Sequence, residues 1–63
     1  MKPGDLVLIR LPERIPYFDF NLCVGIALTV SEKQNATTCW DVLVNGDIRT
    51  FKQEFLEVVS EAG

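Results

Sequence analysis

The sequence predicts an all-β fold, a small five-stranded barrel with a one-turn 3₁₀ helix before the last strand. In the run 22–32, large aliphatic side chains alternate with small or polar ones, as in a half-buried strand. The pair Asn45-Gly46 separates two β-rich runs, which is the strongest short signal for a hairpin. The chain has 63 residues, of which 48% are hydrophobic. We therefore expect residues 1–63 to form one domain with a thin core.

The N-terminal part is predicted to contain two strands joined by a long loop. Residues 6–10 are a short β-branched run and form the first predicted strand. Pro12 and Pro16 interrupt the pattern, so residues 11–21 are predicted to be a loop. The second strand is the alternating run 22–32.

The alternation in the second strand predicts which of its faces is buried. The even positions carry the large aliphatic side chains, so we expect them to point inward. Gly25 and Ala27 would then lie on the outer face, at a bend where another backbone could approach closely. The predicted core comprises Val7, Ile9, Val24, Ile26, Leu28, Val30, Trp40, Val42, Ile48, Leu56 and Val58.

The C-terminal half is predicted to contain three strands. Residues 38–44 and 48–52 are the two arms of the hairpin. Residues 53–56 are predicted to form a single 3₁₀ turn, with the last strand at 57–60.

The turn at Asn45-Gly46 allows two strand registers. A two-residue type I′ turn would place Val42 opposite Arg49. A three-residue turn with a bulge would place Val42 opposite Ile48. The second register also sets Asp41 opposite Arg49. We favour it because it pairs apolar with apolar and acid with base.

The charge distribution argues against a nucleic-acid partner. The net charge is -3, and the six basic residues are scattered, without a cluster that could neutralise phosphates. The stretch after Lys52 carries Glu54, Glu57 and Glu61 and no base, so it is predicted to form an acidic edge. A solvated face is the simple interpretation, and a docking surface for a basic partner is the alternative.

The residue types argue against catalysis. The chain has no histidine, the commonest general base and metal ligand. Cys23 and Cys39 are too few for a structural zinc site, and the four glycines form no phosphate-binding loop. We expect neither enzymatic activity nor a cofactor or metal. Both thiols are expected to be free and buried or half-buried, with a disulfide as the alternative.

The sequence predicts a cytosolic protein, of a bacterium or of something that replicates in one. Prolines and charged residues within 1–21 do not fit a signal peptide. No apolar stretch approaches the roughly 20 residues needed to span a bilayer, so no membrane partner is expected.

The best candidate for a binding site is the loop 15–21, in which aromatic residues are dense. Tyr17, Phe18, Asp19 and Phe20 are its predicted partner-binding residues, because aromatic side chains in a surface loop are typical protein anchors. Alternatively, Phe18 or Phe20 folds back to cap the open end of the barrel while Tyr17 stays outside. Trp40 is expected in the core.

Segments along the whole chain resemble small stand-alone SH3-like barrel proteins of tailed bacteriophages, especially those of marine and cyanobacterial hosts. The segments are Gly4-Asp5-Leu6-Val7, the run 24–30, Trp40-Asp41-Val42-Leu43-Val44-Asn45-Gly46 and Phe55-Leu56-Glu57-Val58-Val59. The resemblance implies an SH3-like fold and a phage origin, and with it a location in the host cytoplasm, with the virion as the alternative. The chain lacks the tyrosine-bearing motif and paired tryptophans of SH3 domains that bind proline-rich peptides.

These features lead to one functional hypothesis and two alternatives. The hypothesis is a non-catalytic, phage-encoded module that binds and modulates a larger host protein through the 15–21 loop and the acidic edge. The first alternative is a minor virion protein that clasps a capsid or connector. The second is a barrel that binds nucleic acid or RNA polymerase. A homodimer could also form if an exposed edge strand pairs across a two-fold axis.

Overall fold

The computed structural model describes residues 1–13, 18–34 and 37–61. They form five strands and two 3₁₀ turns, so the all-β prediction and the 3₁₀ turn before the last strand are confirmed. The strands are β1 (Leu6–Ile9), β2 (Val24–Gln34), β3 (Thr37–Val44), β4 (Asp47–Lys52) and β5 (Leu56–Ser60). The 3₁₀ turns are Phe18–Phe20 and Gln53–Phe55.

All five strands belong to one antiparallel sheet in the order β4-β3-β2-β1-β5. The sheet is open, because within the described residues β4 pairs only with β3 and β5 only with β1. The closed barrel expected from the sequence is therefore not what these residues form.

The core lies on one face of the sheet and includes residues from β1 to β4. Four predicted core residues are fully or nearly buried, namely Val7, Ile9, Trp40 and Val42. Leu56 and Val58 pack against them from β5. The other buried apolar residues are Leu11, Ala27, Val44 and Phe51.

The predicted inward face of β2 is wrong for the first half of that strand. Gly25 and Ala27 are buried, whereas Val24 is 52% exposed and Ile26 39% exposed. Close approach explains the reversal. A Cβ on Gly25 would lie 2.6 Å from Val42 Cγ1. Small side chains at these positions allow β2 to pack closely against β3 on the inner face.

A bulge changes the facing of β2 part-way along the strand. Ala27 lies opposite Val42 and Thr29 opposite Asp41, so one extra residue of β2 is accommodated between these pairs. Beyond the bulge Val30 lies opposite the buried Trp40 and so shares its face. Val30 therefore faces the predicted side, but at 49% exposed it is not the core residue that the sequence predicted.

The hairpin adopts the register that the sequence did not favour. Val42 lies opposite Arg49 and Leu43 opposite Ile48, as a two-residue turn requires. Asn45 has a φ of 52° and Gly46 a φ of 81°, which is the type I′ geometry. The primed turn matches the right-handed twist of the strands, and this local preference outweighs the expected pairing of Asp41 with Arg49.

The exposed Ile48 is a second consequence of this register. Ile48 lies outside the core because it shares the outer face with Leu43. Asp41 lies opposite Thr50 and accepts a hydrogen bond of 2.6 Å from the Thr50 hydroxyl.

Candidate functional site

The predicted binding loop contributes one of its aromatic rings to the core. Phe20 is half-buried and packs against the core. Its ring meets Phe51 edge-to-face, with centroids 6.2 Å apart, and the Arg49 guanidinium lies 5.9 Å from the Phe20 centroid. Phe20 is therefore a capping residue, as in the alternative interpretation, and not a freely exposed anchor. Tyr17 and the Phe18 side chain lie outside the described part of the chain.

The backbone around the loop is tied to both β1 and the hairpin. The Leu11 N–H donates to Asn21 Oδ1 at 2.8 Å and so joins the two ends of the loop. The Cys23 thiol lies 3.9 Å from the Asp19 carbonyl, and Asn45 Nδ2 lies 3.7 Å from Cys23 Sγ. Asp19 is exposed, so its carboxylate is free to face a partner. Both cysteines are free and half-buried, as expected.

Leu22 combines an unfavourable backbone conformation with an exposed side chain. Its φ is 64°, in the left-handed region that leucine rarely adopts, and it is 63% exposed. The Leu22 N–H donates to the Ile9 carbonyl at 2.6 Å, and the Cys23 N–H donates to Phe20 at 3.1 Å. The turn therefore displays a large apolar side chain beside the loop.

The sequence did not predict a candidate surface on the outer face of the sheet. Four aliphatic residues lie directly opposite one another on the outer face, one on each of β1 to β4. Val24 extends this row along β2, beside the half-buried Leu8 of β1. We call the five exposed residues the outer band: Leu6, Ile26, Leu43, Ile48 and Val24.

The outer band is continuous because of the strand register. Side chains directly opposite in an antiparallel sheet share a face. Neighbouring strands are about 4.8 Å apart, so three steps from β1 to β4 give a row about 14 Å long. Sequence reasoning placed Val24, Ile26 and Ile48 in the core. The missed signal was Gly25 and Ala27, whose size suits a tightly packed inner face.

Polar residues border the outer band on the β3–β4 side. Thr29, Asp41 and Thr50 form the next row, and the Thr50 hydroxyl bonds to the Asp41 carboxylate. A carboxylate that is already hydrogen-bonded is less costly to cover than a free one. This row therefore resembles the polar rim of a protein interface.

The acidic edge lies beside β5. Glu54, Glu57 and Glu61 are all exposed. Arg10 Nη2 lies 3.4 Å from Glu57 Oε2. The edge therefore includes a basic residue that is distant in sequence. An exposed pair of this kind contributes little to stability. With three glutamates and one arginine, the acidic edge carries a net negative charge.

The structure offers no assembled chemical centre in the part of the chain that it describes. Among residues 1–13, 18–34 and 37–61, no three His, Cys, Asp or Glu side chains come together as metal ligands. Within the same residues, no helix has the length and apolarity that crossing a membrane requires.

Comparison with known proteins returned no match to a family model, to a curated protein or to a solved structure.

Proposed function

We propose that this chain is a non-catalytic, phage-encoded protein-interaction module with an SH3-like fold, which binds and modulates a larger host protein. The observation that carries the proposal is the outer band. Contiguous exposed aliphatic residues on a small protein are typical of surfaces that another protein covers. The five antiparallel strands and the 3₁₀ turn before β5 support the fold, although closure into a barrel would require further pairing.

The partner surface that fits best is apolar, with basic side chains at its margin. The outer band offers aliphatic side chains without aromatic rings, so it suits a flat apolar patch. The nearby acidic edge would attract lysine or arginine side chains and would favour binding to a basic rim. The net charge of -3 acts in the same direction.

The loop is proposed as a second part of the binding surface. The exposed Asp19 belongs to it, the exposed Leu22 follows it, and Phe20 packs it against the core. Tyr17 and Phe18 remain the predicted aromatic contacts. A partner that touches both the loop and the outer band would contact one end and one face of the sheet.

Affinity capture from bacterial host lysate, followed by mass spectrometry, tests this proposal. Val24→Lys places a charge within the outer band, and Val30→Lys places the same charge at a similarly exposed position outside it. We expect a partner to bind wild type and Val30→Lys and to be lost from Val24→Lys. A Tyr17→Ala/Phe18→Ala variant measures the contribution of the loop.

Two results would contradict the proposal. A partner that binds Val24→Lys as well as wild type would show that the outer band is not used. A wild type that captures nothing from host lysate would contradict binding to a host protein. Purified particles would then be tested for the chain, because a virion protein would be present there in fixed stoichiometry.

A further inference from the structure

The regular edge of β4 is suited to pairing with another strand. β4 pairs with β3 through six consecutive residue pairs without a register shift. The other edge strand, β5, pairs irregularly with β1 between Leu6 and Val7. Bulges and prolines protect edge strands from further pairing, and β4 contains neither.

The turn determines which backbone groups of β4 bond to β3. In a type I′ hairpin the residues that flank the turn, here Val44 and Asp47, form a closely hydrogen-bonded pair. Hydrogen-bonded and non-hydrogen-bonded pairs then alternate along an antiparallel ladder. The backbone N–H and C=O groups of Arg49 and Phe51 therefore bond to β3, as those of Asp47 do.

The intervening residues of β4 direct their backbone N–H and C=O groups to the open edge. These residues are Ile48, Thr50 and Lys52. All three are exposed, and within the described residues no strand pairs with this edge. The three N–H groups and the Thr50 carbonyl are therefore available at the open edge, whereas the Ile48 carbonyl already accepts a hydrogen bond of 3.0 Å from Arg49 Nη1.

The sequence of β4 is complementary to itself in an antiparallel arrangement centred on Thr50. Thr50 would lie opposite Thr50 of a second copy, and threonine pairs are favourable across strands. Ile48 would lie opposite Lys52, whose methylene stem can cover it. Arg49 would lie opposite the buried Phe51, so no charge faces it there. No like charges lie opposite one another, and every pair shares a face.

The main competing register is an antiparallel pairing of the two β4 strands that is centred on Ile48. It would place Asp47 opposite Arg49 and form two ion pairs across the junction. It would use only the first half of β4, however, because the chain turns away at Gly46. The register centred on Thr50 pairs all residues from 48 to 52 and so forms more ladder hydrogen bonds.

We infer that β4 pairs with β4 of a second copy about a two-fold axis at Thr50, which joins two five-stranded sheets into one of ten strands. The two outer bands would then lie on the same face of the joined sheet. A larger partner could contact both bands, so dimerisation would make the proposed binding surface bivalent. Self-association itself needs only purified protein, so its failure would leave binding through a single outer band intact.

Substitutions at Thr50 give a sharp test by sedimentation equilibrium over rising protein concentration. Thr50→Pro removes the edge-facing N–H and leaves the ladder to β3 intact, which is how proline is tolerated in edge strands. Both variants lose the hydroxyl that donates to Asp41, but Thr50→Val keeps this N–H and is therefore the matched control. We expect wild type and Thr50→Val to shift from 7.1 kDa towards twice that mass, and Thr50→Pro to stay monomeric.

Amide hydrogen exchange of the wild type provides a measurement that does not depend on a folded proline variant. The Thr50 amide should exchange more slowly as the protein concentration rises, because it becomes bonded in the dimer. The Arg49 amide bonds to β3 and should be protected at every concentration. The inference is overturned if wild type stays monomeric, if folded Thr50→Pro still dimerises, or if Thr50 exchange is independent of concentration.

Discussion

Gly25 shows how one residue decides the direction in which a strand faces. An added Cβ would lie 2.6 Å from Val42 Cγ1 and 2.7 Å from the Leu43 carbonyl oxygen. The carbonyl belongs to the backbone of β3 and cannot rotate away as a side chain can. Gly25 is therefore required by close packing of the inner face.

Gly25→Ala should lower the free energy of unfolding by about 2 kcal/mol or more, because the methyl group overpacks the core. Urea denaturation would measure this. Gly46→Ala is the control, since nothing lies within 4 Å of its Cβ and its φ of +81° causes only conformational strain. That strain should cost about 1 kcal/mol. Gly25→Ala with wild-type stability would contradict the assigned inner face.

Leu22 presents the opposite case, an unfavourable conformation without a packing requirement. Leu22→Gly should be more stable than Leu22→Ala by about 0.5–1 kcal/mol, because glycine adopts a positive φ without steric cost. The comparison with alanine removes the effect of deleting the side chain. If Leu22→Gly proves the less stable of the two in urea, the φ of 64° is not a source of strain.

At the scale of elements, the second 3₁₀ turn is held to β3 by a side-chain hydrogen bond. Trp40 is buried, and its indole N–H donates to Gln53 Oε1 at 2.8 Å. This bond satisfies the polar atom of a large core residue. It also anchors Gln53–Phe55, from which β5 returns to pair with β1.

Gln53→Ala should destabilise the protein by about 1–2 kcal/mol, because the partly buried indole N–H loses its acceptor. Gln53→Glu retains an acceptor oxygen and should lose less. Equilibrium unfolding followed by Trp40 fluorescence, the emission of the single tryptophan, would measure both. Equal losses in the two variants would indicate that Gln53 contributes through something other than this bond.

At the scale of the whole molecule, the fold has one apolar face buried and a second apolar surface exposed. Val42 is fully buried on the inner face, and Val24 is half exposed in the outer band. Two identical substitutions, one on each side of the sheet, can therefore distinguish the two faces.

Val42→Thr should cost about 1–3 kcal/mol, because it buries a hydroxyl in an apolar site. Val24→Thr should cost less than about 0.5 kcal/mol, as is usual at exposed positions. Chemical denaturation of both variants under the same conditions is the measurement. The assignment of the outer band fails if Val24→Thr is as destabilising as Val42→Thr.

Much of the architecture followed from local sequence signals. Alternation predicted β2, the β-branched run predicted β1, and the segment 53–56 predicted the second 3₁₀ turn. The register between strands and the direction in which each strand faces were harder to predict. The competing turn geometries at Asn45-Gly46 shift the partner of Val42 by one residue, and each shift reverses the exposed face of a strand.

The candidate site was predictable only in part. The aromatic loop could be recognised from composition, but not which ring would pack against Phe51. The outer band required the register of three strand pairs before its residues could be seen as neighbours. The acids of the acidic edge were visible in the sequence, whereas the contact of Glu57 with Arg10 joins residues 47 positions apart.

By itself, the sequence determined that the chain forms β-strands, where its tight turns lie, and that it carries no histidine. These properties depend on local preferences and composition. Tertiary structure alone decided which face of β2 is buried. Alternation shows that the two faces of a strand differ, but their direction depends on what packs against them. Here Gly25 and Ala27 let β2 pack tightly against β3 on the inner face, and the bulge then reverses the pattern. The aliphatic side chains of the outer band remain outside for this reason.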